Sequence, residues 1–439
     1  MVTRREFLGK AAASTAAASL GGGGTAFAMP RTLRILKWAH FVPEYDVWFA
    51  SAAAHWGREH QTKVVIDTVP VESIGAAAKA DLESRRRHDI CIFPWPPAHF
   101  HEHAIDHTGI YQEVASRYGA IPQLAYRSTF NLRNKQHFAV ADFWMPSPLH
   151  FFQDYWAQVG MPLGPVHYGA LRSGGRKLRE QLGIPSGLAF TPTLEGNVTL
   201  HTLLYSRRAW LLEGHGGGVL FNTNAFAFEA LKYLQALYEE SGTPEQLTWG
   251  PAGNVRAMLA RKTSSTTNAI SLLRAAEKQD PAVAGKILLQ PPPLGTAGMG
   301  VTALPHVTNC SVVWRTAANQ DGARQFLADQ VGNSRQGYEK SLGCNFPIYP
   351  KAVPDLIVRL SKDAQANPSY KYVELKDALH WTPNLGVPGF ATPAYMEIFT
   401  SSLVPHMVRS VLKGERSATD AASVAATEMQ RIVSRWQRA

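Results

Sequence analysis

Trp38, His40 and Phe41 close an apolar run, Leu33 to Trp38, just before a helical pattern opens at Glu44. In an open α/β sheet, ligands sit in the crevice outside the carboxyl ends of the strands. These three rings are therefore predicted at the lip of such a crevice. Trp95 holds the equivalent place after another apolar run, Asp89-Ile90-Cys91-Ile92-Phe93, which stops at Pro94-Trp95-Pro96-Pro97. Flat indole faces pack against C–H surfaces, and neighbouring imidazole, carboxamide and carboxylate groups exchange hydrogen bonds. That pairing suits a small polar ligand, a sugar ring among others. Most of the 11 Trp, 14 Tyr and 19 Phe belong to cores, so only rings at strand ends carry this argument.

Two other motifs could do chemistry. In HFHEHAIDH, a helix would place His99, His103 and His107 on one face, and two His four apart can share a metal ion. The HExxH motif is absent, because Ile105 stands where its second His would be. A solvated helix face is the expectation, with a metal site as the competing reading. Gly214-His215-Gly216-Gly217-Gly218 contains HGGG, an oxyanion-hole element of some hydrolases. No GxSxG supplies a nucleophile, and Gly183-Ile184-Pro185-Ser186-Gly187 has the wrong spacing. The glycines read as a loop that needs positive φ or close backbone approach. With no Walker A, and no GxGxxG after a strand, neither an enzyme nor a cofactor is expected.

The elements that must position these residues alternate. The opening strand is followed by a helix over Glu44–His60, a strand Lys63–Asp67, a helix Ser73–Arg87 and the strand ending at Phe93. That spacing means βαβ units and a parallel sheet. An extended run at Phe138–Asp142, continuing into Phe143-Trp144-Met145-Pro146, is expected to make the first crossing into a second lobe. Helices follow over Tyr155–Gly160, Arg172–Gly183, Thr199–Glu213, Ala227–Glu240, Gly253–Arg261 and Ile270–Lys278. Strands are expected at Thr267–Ala269, Gly285–Leu289 and Ser311–Trp314, with a helix over Asp321–Val331 and two long helices over Ala394–Lys413 and Ser417–Arg438.

The chain has 439 residues, enough for two or three domains, and at 45% hydrophobic and 18% charged it is ordinary globular material. The net charge of +10 is not gathered into a stripe. Its densest runs, Arg85-Arg86-Arg87 and Arg207-Arg208, are short, which excludes nucleic acid as the expected partner. Thr3-Arg4-Arg5-Glu6-Phe7-Leu8-Gly9-Lys10 matches the twin-arginine export pattern. A weakly apolar Ala/Gly stretch and the small-residue site Ala26-Phe27-Ala28 follow it. Residues 1–28 are thus expected to be a signal that sends the folded product to the periplasm. Cys91, Cys310 and Cys344 are odd in number, lie in apolar surroundings and form no CxxC, so buried thiols are expected, with any single pairing left open.

The ordered series LRILKWAHF, DICIFPWPPA, DFWMPSP, EALKYLQALYEESGTP, NAISLLRAAEK, GARQFLADQV and GCNFPIYP resembles family 1 extracellular solute-binding proteins of ABC importers. The closing stretch Ile398 to Trp436 is similar to that family's end. The resemblance implies a bilobal periplasmic-binding-protein fold of type II kind, two α/β lobes with a hinge and a C-terminal helical extension. Lobe 1 is expected over 29–141 plus 305–345, and lobe 2 over 142–304 plus 346–439. It implies a monomer that captures a sugar, oligosaccharide or sugar derivative between the lobes and hands it to the ABC permease subunits. By position, the expected ligand-binding residues are His40 and Trp95 from lobe 1, and Asp142 and Trp144 at the crossing. Trp249, Asn254 and Asn268 are expected from lobe 2, with Asn345 completing the set. Many sugar-binding members carry a Gly-Gly pair followed by an acidic residue where this chain has Gly216-Gly217-Gly218-Val219-Leu220, and an acidic residue where it has Pro94-Trp95, so an acidic or phosphorylated glycoside, or another polar metabolite, stays open. The alternative is a metal carrier on a similar fold. Bilobal ferric-ion binders use adjacent tyrosines, whereas Tyr370 and Tyr372 here are separated by Lys371.

Overall fold

A computed structural model describes residues 31–84, 87–214, 217–295, 300 and 302–438. The expected export signal and His215-Gly216 of the glycine-rich loop lie outside the described residues.

The strands are β1 (Arg31–Trp38), β2 (Thr62–Val69), β3 (Ile90–Phe93), β4 (Phe130–Asn131), β5 (Gln136–His137), β6 (Val140–Met145), β7 (Leu149–Phe152), β8 (Ser265–Thr267), β9 (Ile287–Gln290), β10 (Val307–Val313) and β11 (Phe346–Pro347). Six of them form one sheet in the order β11-β6-β10-β3-β1-β2. β1 pairs parallel with β2 and β3, whereas β10 runs antiparallel to both β3 and β6. β3 reads as continuous Ile-Cys-Ile-Phe because it is buried on both faces in the sheet's middle. The helix Pro43–Glu59 begins with Pro at its first turn and carries Glu44 and Asp46 at its positive end. It turns Tyr45, Phe49, Ala53 and Trp56 inward.

This register places the ends of β1, β2, β3 and β6 on the same edge as the start of β10. The chain therefore leaves the sheet at Met145 and re-enters it beside the same residue: Val307 pairs with Met145, and His306 N–H donates to the Met145 carbonyl at 2.9 Å. Pro146 and Pro148 end β6 and mark the outward crossing. The second lobe is built on the antiparallel sheet β8-β7-β9. The first sheet reaches further along the chain than expected. Asp142 and Trp144 belong to β6, and β11 adds Phe346 and Pro347 to the sheet's edge. Pro350–Ala352 still packs on the first lobe's helix Thr108–Tyr118, and Lys371–Leu375 is against β9.

The second lobe centres on the helix Leu194–Tyr205, every residue of which is buried. Some of its buried polar groups are tied down: Thr199 to the Thr267 hydroxyl at 2.8 Å, and His201 Nδ1 to the Asn197 carbonyl at 2.8 Å. The Thr202 hydroxyl accepts from Leu304 N–H at 3.0 Å. This helix starts and stops earlier than the expected Thr199–Glu213. The expected long helix Ala394–Lys413 is two, Pro393–Thr400 and Leu403–Leu412, broken where Ser402 takes positive φ. The last helix, Ala418–Arg438, packs along both. Cys91, Cys310 and Cys344 are buried free thiols.

Candidate functional site

The edge on which β1, β2 and β3 end faces the buried helix of the second lobe. A cavity of 120 Å³ lies between them. Its first wall is Val71 and Glu72 after β2 and Trp95 after β3. Its second is Thr193, Leu194 and Asn197 at the head of the helix Leu194–Tyr205, and Phe399, Thr400 and Ser402 at the break between the C-terminal helices close it. Thr193 caps that helix, its hydroxyl accepting from Gly196 N–H at 3.2 Å. A Cβ on Gly196 would stand 1.9 Å from the Thr191 carbonyl oxygen, so glycine is what lets the chain entering the helix lie against its first turn.

The polar groups of this cavity are incompletely matched. The Asn197 carboxamide donates to the Ser402 hydroxyl at 3.1 Å, while its Oδ1 has no partner although the residue is only 5% exposed. The indole N–H of half-buried Trp95 also lacks a partner in the protein. Buried polar atoms are ordinarily hydrogen-bonded, because each one left bare costs about 1–3 kcal/mol. Unpaired groups on residues that line the cavity from both lobes are what a ligand with its own donors and acceptors could satisfy on entry.

Of the residues expected here from sequence, Trp95 lines the cavity. His40, Asp142 and Asn345 are brought together, but inside the first lobe. His40 Nε2–H donates to Asn345 Oδ1 at 2.9 Å, Trp38 Nε1–H to Asn309 Oδ1 at 2.9 Å, and Asn309 Nδ2–H to Asp142 Oδ1 at 2.7 Å. The two voids that touch this web hold only 10 Å³ each, so it braces the strand ends from behind. Burial pushes the Asp142 carboxyl up to about 6 and the His40 imidazole down to about 4. Trp144 is core, 5.5 Å from the Phe346 ring, because its strand position points into the lobe. Asn254 clips β8 through Thr266 and Thr267. Asn268 sits at the crossing, its carbonyl accepting from His150 Nε2–H at 3.2 Å and its Nδ2 without a partner. Trp249 is half-buried outside the cavity, in a stretch that Ala252 N–H ties to Glu195 at 3.3 Å.

Glu72, Thr193, Asn197 and Ser402 were not legible as site residues. One signal was available: a Thr cap followed by Leu-Glu-Gly-Asn-Val-Thr-Leu, which sets an Asn in the first turn of a helix whose later residues are mostly apolar. The histidine cluster does not form the expected solvated helix. Ala98–His103 is a short 3₁₀ turn packed on the helix Pro393–Thr400, and His107 is buried, accepting from Val313 N–H at 3.0 Å. Among the described residues no three His, Cys, Asp or Glu side chains gather as a metal site, and no helix is long and apolar enough to cross a membrane.

No protein-family model matches this chain, and no curated protein matches it in sequence. Solved structures do match it. It is similar to an ABC transporter solute-binding protein of Thermotoga lettingae bound with α-D-tagatose, at TM-score 0.74 and 16% identity over 92% of this chain and 100% of that one. A sugar transporter of Arthrobacter chlorophenolicus with bound laminaribiose matches at 0.75 and 13%, over 91% and 99%. The cyclic α-maltosyl-1,6-maltose binding protein of Arthrobacter globiformis matches at 0.72 and 13%, over 92% and 99%. The chain therefore has the bilobal α/β fold of the periplasmic binding proteins.

Proposed function

We propose that this chain is the substrate-binding component of an ABC importer, exported through its twin-arginine signal to the periplasm. It captures a sugar, oligosaccharide or sugar derivative between its lobes and delivers it, as a monomer, to the permease. On this reading lobe 1 comprises residues 31–145 and 307–352, and lobe 2 the rest. The observation that carries the proposal is the interlobe cavity, lined by Trp95 from one lobe and Asn197 from the other, whose Nε1–H and Oδ1 are both without partners. The solved neighbours with tagatose and laminaribiose support the ligand class.

At 120 Å³ the cavity is well below the roughly 300–1,000 Å³ typical of ligand pockets. A sugar is therefore admitted only with the lobes parted, and contacts to both lobes then favour closure. The test is a thermal-shift screen of sugars, sugar acids and polyols, since a ligand that binds only the native state raises its melting point. Titration calorimetry of the hit against Trp95→Ala follows. Loss of the stacked ring is expected to cost about 1 kcal/mol or more of binding while the variant stays folded. An unchanged affinity removes Trp95 from the site, and a screen with no sugar hit overturns the reading.

A further inference from the structure

A cavity of 400 Å³, separate from the one lined by Trp95 and Asn197, lies where the first-lobe helix Gln123–Thr129 meets the second-lobe segment Leu379–Asn384. That volume is within the ordinary range of small-molecule pockets. Its polar lining is Gln123, Arg127, Thr382 and Asn384, leucines and prolines make up the rest, and no aromatic ring faces it. It therefore offers no face for stacking a sugar. Arg127 is the one charged lining residue, and among the described residues its guanidinium hydrogen-bonds only the Pro388 carbonyl, at 3.1 Å. Thr382 is 4% exposed with no partner for its hydroxyl. Asn384 is 2% exposed, and its Nδ2 is committed to the carbonyls of Leu385 and Gly389 at 2.7 and 3.0 Å. That leaves its Oδ1 as a free acceptor.

We propose that this cavity is a second ligand site, for a small hydroxylated oxyanion. A guanidinium with free N–H groups recognises carboxylate or phosphate through charge-assisted hydrogen bonds. The exposed Gln123 amide donates beside it, and Asn384 Oδ1 accepts from a hydroxyl of the ligand. Carboxylate and phosphate share this chemistry and are separated by the probe.

The experiment is titration calorimetry of the purified full chain with citrate and, separately, inorganic phosphate, at ionic strength matched with sodium chloride. Saturable one-site binding in the low millimolar range or tighter is expected for at least one probe, and which probe binds names the oxyanion. Arg127→Gln and Gln123→Glu should each weaken it by about tenfold or more, the loss expected when a charge-assisted hydrogen bond is removed or opposed. Gln123 is exposed, so its variant keeps the test interpretable if Arg127→Gln fails to fold. Absence of saturable binding by either probe, or equal binding by Gln123→Glu, overturns the proposal. A sugar hit at the cleft is expected to bind both variants as it binds the parent, so this failure is distinguishable from failure of the importer reading.

Discussion

Asp142 illustrates how a residue's chemistry depends on what covers it. Its Oδ1 accepts from Asn309 Nδ2–H at 2.7 Å and from Phe143 N–H at 3.0 Å, yet burial outweighs both and raises its carboxyl to about 6. The folded chain thus holds a proton that the unfolded chain, with a carboxyl near 3.9, has already lost. Stability from this group is present at low pH and declines as pH rises through about 4 to 6. Asp142→Asn keeps an Oδ1 acceptor and removes the buried charge. It should melt a few °C above the parent at pH 7.5, at roughly 2–4 °C per kcal/mol, with the difference vanishing near pH 4. A difference of the same size at both pH values would refute this account. Sequence showed a carboxylate at a strand's end, but which side of the sheet it faced depended on register.

Among the elements, the helix Leu194–Tyr205 does most to shape the cleft. Gly196→Ala would drive a methyl group into the Thr191 carbonyl, so either the chain entering the helix or the helix's first turn must move. Overpacking of this kind costs about 1–3 kcal/mol. Because Thr193 and Asn197 flank the position, ligand affinity should fall together with the melting temperature. Normal values for both would show that the close approach is not needed. The helix was misplaced from sequence because it is buried all round and has no polar stripe. Its start was marked by the Thr193 cap, a local signal, whereas its expected end at Glu213 rested on leucine spacing that continues past the last turn. Amphipathic helices were easier to read. Pro43–Glu59, Tyr168–Leu182, Ala225–Ser241 and Ala418–Arg438 lie within a few residues of their expected ranges.

Taken whole, the molecule buries many histidines. His40, His99, His107, His137, His150, His201 and His306 are each lowered to about 4, in every case chiefly by burial. Their unfolded value is about 6.5. The stability tied to their neutral forms is present above that value and is lost as pH falls from 6.5 toward 4. Asp142 and Glu277, both raised by burial, work in the opposite sense over part of this window, but two groups are set against seven. The melting temperature should therefore drop steeply between pH 6.5 and 4, and a flat profile would contradict the burial of these rings. Packing explains why HFHEHAIDH forms no solvated helix: His107 is buried, and only Glu102 and His103 of the motif are exposed. Its turn is covered by the helix Pro393–Thr400, nearly 300 positions further along the chain.

The alternation of apolar runs and helical stripes was sufficient to determine the α/β class, the parallel opening of the first sheet and the place of Trp95 at a strand's end, because strand ends follow from local periodicity and βαβ units are parallel; the two lobes were what the family resemblance implied. The tertiary structure alone decided which polar side chains meet. Asn197 reaches Ser402 across more than 200 residues, and His40 turns to Asn345 instead of to the cleft. Such pairings are set by packing between distant segments, and a side chain's type and neighbours in sequence carry no record of what will lie opposite it.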